Sequence, residues 1–82
     1  MRRDEAYLLD ILLAAREARA FVAGVTWQGF KASRLHQNAV LKALEIIGEA
    51  AARISVEMRD AHLEIPCDEI IGMRNRLLHG YF

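Results

Sequence analysis

Residues 34–54 constrain the fold more than any other stretch. Leu35, Ala39, Val40, Ala43, Leu44, Ile46, Ile47, Ala50, Ala51 and Ile54 recur at the three- and four-residue steps of an α-helix. They cover well over half of its circumference. Against them runs one charged stripe, Lys42, Glu45, Glu49 and Arg53, at steps of three, four and four. A helix with so wide an apolar face is the central one. Gly48 interrupts it at a cost of about 1 kcal/mol relative to alanine. A close helix crossing is a physical reason to accept that cost. The stripe has two readings. It is a solvent face laced with i,i+4 pairs, or it places Glu45 and Glu49 along a cleft beside the arginines at the end of the chain.

The other helices are arranged around this one. Residues 4–23 read as a first helix, with Asp4 as N-cap and Leu8, Ile11, Leu12, Ala15, Ala18 and Val22 on one apolar face. Gly24 is placed to end it. Residues 25–33 form the connection, with room for one helical turn opened by Thr26. Trp27 and Phe30 are its apolar anchors; they tuck the loop onto the core, or an exposed Trp27 serves a partner. Ser33 can cap the central helix, and Ser55 a short helix over 56–62. Pro66 favours extended backbone before it and stands at the first turn of a last helix over 66–78, with Asp68 and Glu69 near its positive end. No strand alternation or internal repeat occurs. The fold class is all-α, with about four helices counting the short one.

At 82 residues the chain holds one domain, 1–82. So short a chain buries only about 60–65% of its unfolded surface. Yet 54% of its residues are apolar, above the usual share of about 45–50%. Surplus apolar surface on a small domain points to burial against a partner. Eleven basic residues balance eleven acidic ones, so the chain has no general attraction to nucleic acid or anionic membrane. Phosphate binding has to come from local placement of arginines. The single Cys67 excludes an internal disulfide and fits a reducing, cytoplasmic setting. No apolar run reaches the roughly 20 residues of a membrane span. No cluster of metal ligands appears and no cofactor is called for; His36 and His62 read as ordinary surface or packing residues.

The densest chemistry lies in Arg74-Asn75-Arg76-Leu77-Leu78-His79-Gly80-Tyr81-Phe82. Arg74 can hold a phosphate as a bidentate fork. His79 is the side-chain type that exchanges protons near neutral pH. Read locally, the stretch is also a plain helix C-terminus with cations near the negative end of the dipole. On a straight helix Arg74 and His79 diverge by about 140°. They converge only if the helix ends before His79 and redirects it, or if two chains pair.

Arg74, Asn75, His79 and Tyr81 match the R-x4-H-x-Y form of the R-x(4–6)-H motif, and the stretch resembles HepT-type toxins of the HEPN superfamily. Arg3 to Ile11 resembles that family's first helix, Leu44 to Ala51 its central helix, and Ile65-Pro66 with Ile70 to Arg74 its approach to the motif. The resemblance implies a small antiparallel HEPN-like bundle whose further helix, beyond Phe82, this chain lacks. It implies a twofold homodimer with paired motifs at the interface. It implies metal-independent RNA cleavage by Arg74, Asn75 and His79, with Arg76, Glu45 and Glu49 in support. It further implies a type II toxin–antitoxin system, in which a nucleotidyltransferase antitoxin adds AMP to Tyr81. The alternative is a non-catalytic or truncated HEPN module that binds a partner protein or a nucleotide.

Overall fold

The computed structural model describes residues 2–79, and the fold follows from three long helices with two short ones in the turns. In order these are α1 (Arg2–Val22), α2 (Trp27–Ala32), α3 (Arg34–Arg53), α4 (Val56–Ala61) and α5 (Cys67–Leu78). The all-α expectation holds. The described residues contain five helices rather than about four, because the turn opened by Thr26 continues through six residues. Thr26 Oγ1 accepts from Gly29 N at 3.0 Å, and Gln37 Nε2 donates to the Phe30 and Lys31 carbonyls at the far end.

α3 is the central element, packed by α1 on one side and α5 on another. Its N-cap is Ser33, whose hydroxyl accepts from His36 N, and Ser55 caps α4 in the same way from Met58 N. Gly24 takes φ +74 after α1, the left-handed conformation in which glycine meets no steric penalty. The core is built from small side chains. Among the described residues, Ala14, Ala43, Ile47, Ala50, Ala51, Ile54 and Cys67 are the buried apolar ones, and no large side chain is fully buried. Helices that meet through alanine and glycine approach closely but enclose little volume. The remaining apolar surface is left outside: Leu9, Leu12 and Leu13 on α1 are about half exposed.

Two polar side chains lock the turns. Asp4 does not cap α1, which begins at Arg2. Its carboxylate is buried and accepts from Ser55 N at 2.9 Å and Ser55 Oγ at 2.6 Å. The Ser55 hydroxyl, then its backbone N–H, holds the Asp4 carboxyl below the usual carboxylate range. The start of α1 is thereby fastened to the end of α3, which makes the pair antiparallel. Arg59 on α4 donates from Nη2 to the Ala51 and Ala52 carbonyls, both at 3.0 Å, closing the C-terminus of α3. Its Nη1 lies 3.6 Å from Asp68 in the first turn of α5.

Candidate active site on the last helix

α5 begins directly after Pro66, with Cys67 buried and Asp68 and Glu69 in its first turn. It runs antiparallel to α3, so that Arg74 lies over Gly48. A Cβ built on Gly48 would clash with Arg74 Cβ and stand 2.8 Å from both Cγ and Cδ. The crossing expected at Gly48 is therefore occupied by the aliphatic stem of the motif arginine itself. Arg74 is half-buried there, while Asn75, Arg76 and His79 are exposed. Among the described residues no side-chain hydrogen bond or ion pair engages Arg74, Asn75, Arg76 or His79. A half-buried guanidinium without an acidic partner retains its capacity for an anionic ligand.

His79 is the C-cap of α5, at φ −99 and ψ 24. Its backbone N–H still bonds to Asn75 O at 3.1 Å and to Arg76 O at 3.3 Å. Its Cα thus stays on the helical path, and ending the helix at this residue does not swing the imidazole toward Arg74. The divergence of about 140° survives. By the same geometry Arg76 lies within about 60° of His79. Arg76 lines a shallow depression of about 440 Å³ with Glu69, Gly72, Met73 and Leu77. A Cβ added at Gly72 would meet nothing within 4 Å. The motif therefore has two faces: Arg74 against α3, and Asn75, Arg76 and His79 outward.

The acidic stripe is divided. Glu49 donates no support to Arg74: it pairs with Arg53 at 3.0 Å, both side chains more than half exposed. It lines a recess of about 200 Å³ with Tyr7 and Asp10 of α1 and with Ile46 and Arg53. Such exposed i,i+4 pairs are worth about 0.3–0.5 kcal/mol. Glu45 is half-buried and sits about 60° around α3 from Gly48, nearer the Arg74 side. Tyr81 lies outside the described residues. His36 accepts or donates to Ser33 Oγ at 2.6 Å, and His62 meets Glu64 at 3.0 Å, so both serve local structure. That contact with His62 lowers the Glu64 carboxyl. Among the described residues no group of three His, Cys, Asp or Glu side chains gathers as a metal site, and no helix is long and apolar enough to cross a membrane.

Sequence reasoning overlooked one feature close to the motif. A cavity of about 660 Å³ lies between α2, α3 and the end of α5, and Leu77 forms part of its wall. The signal that could have found it is a tryptophan followed by a lysine one helical turn later, at residues 27 and 31.

Comparison with known proteins assigns the chain to a family. The family described as ribonuclease HepT-like matches residues 11–82. A Methanocaldococcus jannaschii protein named as a candidate RNase is 38% identical over 82 residues, covering 99% of this chain and 75% of the relative. A Thermococcus cleftensis protein, named as a candidate ribonuclease HepT, is 38% identical over 81 residues, covering 99% of this chain and 74% of its own length. A third relative, from Caldanaerobacter subterraneus subsp. tengcongensis and likewise named as a candidate RNase, is 35% identical over the full chain and 73% of its own length. No solved structure gives a significant match. With the family matched over most of the chain and the motif on an exposed helix end, the protein belongs to the HepT-like ribonuclease family.

Proposed function

We propose that this ribonuclease is the toxin of a type II toxin–antitoxin pair and that its active site is shared between two copies of the chain. The observation that carries the reading is the split of the motif. Arg74 packs against α3, and His79 lies about 140° away around α5 on the outward face. One copy cannot bring both to one phosphate, whereas a twofold pair can set the histidine of one copy near the arginine of the other. The exposed Leu9, Leu12 and Leu13 supply apolar surface for such pairing.

In this site His79 takes the proton of a ribose 2′-hydroxyl, whose oxygen attacks the adjacent phosphorus. The 5′-oxygen leaves and a 2′,3′-cyclic phosphate remains. Arg74 neutralises the charge that grows on the phosphoryl oxygens, and Asn75 orients the phosphate or the imidazole. These groups need no metal, so cleavage persists in EDTA. A nucleotidyltransferase antitoxin transfers AMP from ATP to the Tyr81 hydroxyl: the tyrosyl oxygen bonds to the α-phosphorus, the α–β anhydride breaks and pyrophosphate leaves. The added phosphate then occupies the arginines that RNA requires.

The test is complementation. Arg74→Ala and His79→Ala chains are each inactive alone. Coexpressed, they form a mixed dimer in which one of two sites keeps both groups, which restores about a quarter of the activity. Mixed dimers that form but stay at the level of the single variants would refute a shared site. Intact-mass measurement after coexpression with the antitoxin reads the Tyr81 adduct, and an adduct on Tyr7 would refute that assignment.

A further inference from the structure

The chain carries no net charge, but its charge is unevenly distributed. Residues 18–44 contain Arg19, Lys31, Arg34 and Lys42 and not one aspartate or glutamate. The cavity of about 660 Å³ is lined by this stretch and by Leu77. Its rim carries Lys31 and Arg34 together with the amides of Gln37 and Asn38, and its floor is apolar, formed in part by Val40 and Leu44. Trp27 stands at the edge with 68% of its surface exposed, an unusual cost for the largest apolar side chain. Its ring stacks on Phe30 at 5.9 Å between centroids and 15° between planes, which fixes its orientation. Lys31 Nζ lies 5.9 Å from the centre of the same ring. An oriented aromatic face, two cations and no acid complement a ligand that is planar, aromatic and anionic. α5 is antiparallel to α3, so its C-terminal half, from Arg74 to His79, points toward this groove, and Leu77 reaches its wall.

We propose that this groove is a subsite for an unpaired RNA nucleotide next to the bond to be cleaved. Its base stacks on Trp27, and its phosphates are held by Lys31 and Arg34. The inference rests on the ribonuclease reading and deepens it. Stacking tolerates any base, because every base has a π-face, and it requires a single strand, because paired bases are already stacked. The subsite therefore selects unpaired RNA, not a sequence.

Trp27 is the sole tryptophan, so its fluorescence reports on the groove alone. The experiment uses the full chain carrying His79→Ala, which prevents cleavage, titrated with fluorescein-labelled oligouridylate. Anisotropy of the label reads binding, and emission of Trp27 reads stacking. The two curves should coincide, and duplex RNA should leave the emission unchanged. Trp27→Ala, at an exposed position, should keep its helicity while weakening the single strand roughly 5- to 150-fold, with Trp27→Phe in between. Replacing both Lys31 and Arg34 by alanine should reduce the slope of log K against log salt by about 1.4, the value for two lost single-strand phosphate contacts. RNA that binds by anisotropy while Trp27 emission stays flat would refute the subsite and leave the ribonuclease reading standing. No binding of any RNA would refute both. An emission change that follows protein concentration instead of RNA would show a second copy in the groove and overturn the proposal.

Discussion

Replacing Gly48 by alanine tests the crossing on which the site depends. Gly48 is buried in the middle of α3, and an added Cβ would clash with Arg74 Cβ and stand 2.8 Å from Cγ and Cδ. These are the base and middle of the side chain, so a rotamer change at the guanidinium does not relieve the overlap. Carbon atoms settle about 3.5–4.0 Å apart, and α5 therefore has to retreat by roughly 1 Å. Overpacking of this kind costs about 1–3 kcal/mol. Alanine returns about 1 kcal/mol of helix propensity. The net loss is about 0–2 kcal/mol, and at about 4–8 °C per kcal/mol for a domain of this size the melting temperature falls by up to about 15 °C. In the proposed mechanism the effect on chemistry is larger, because a displacement near 1 Å at Arg74 would cost about 100-fold. Thermal melting by circular dichroism and cleavage of RNA read the two quantities separately. Gly72→Ala is the control. It lies on the packing partner, α5, where an added Cβ meets nothing within 4 Å, and should raise stability by up to about 1 kcal/mol. A Gly48→Ala protein as stable and as active as the Gly72→Ala protein would refute the crossing geometry.

Two further perturbations address the turns. The Asp4 carboxyl titrates below its ordinary value of about 3.9 because Ser55 hydrogen bonds hold its charged form. The unfolded chain therefore takes up the proton first as pH falls. The Asp4 contribution is complete above about pH 4 and is lost as pH drops through the folded value. Denaturation followed against pH should show this loss, and Asp4→Asn should flatten it; an unchanged acid limb in the variant would refute the assignment. Arg59→Ala removes both donors to the Ala51 and Ala52 carbonyls and should cost about 1.5–3 kcal/mol by chemical denaturation. Arg59→Lys should restore little of this, because an ammonium cannot reproduce the planar fork; full rescue by lysine would show that charge alone was at work.

The local punctuation of the chain was legible from its residues. Thr26, Ser33 and Ser55 each cap the helix that follows them, and Gly24 takes the left-handed turn. Each of these depends on groups three residues away or on the residue's own backbone preference. Asp4 was misread as such a cap, because its partner, Ser55, is 51 residues away. Arg59 passed unnoticed for the same reason. Its value lies in reaching the end of another helix. For Trp27 the sequence allows an anchor for the loop or an exposed aromatic that serves a partner, and the ring is mostly in solvent. The stripe from Lys42 to Arg53 forms an i,i+4 pair that its spacing allows, Glu49 with Arg53, but its neighbours on other helices were not legible. Glu49 shares its recess with α1.

The sequence by itself determined that the chain is all-α, where its helices begin and end within a residue or two, and that α3 tolerates a glycine at a crossing. Periodicity and capping are short-range, and residues within one turn decide them. It also carried the motif, because Arg74, Asn75 and His79 are distinguished by their chemistry and spacing. Only the tertiary structure decided that the stem of Arg74 fills the space at Gly48, that His79 faces away from it, and that Leu77 closes the groove beside Trp27. Those facts depend on the register in which α5 slides along α3. That register is set by the fit of small side chains from distant segments, and no periodicity within either helix encodes it.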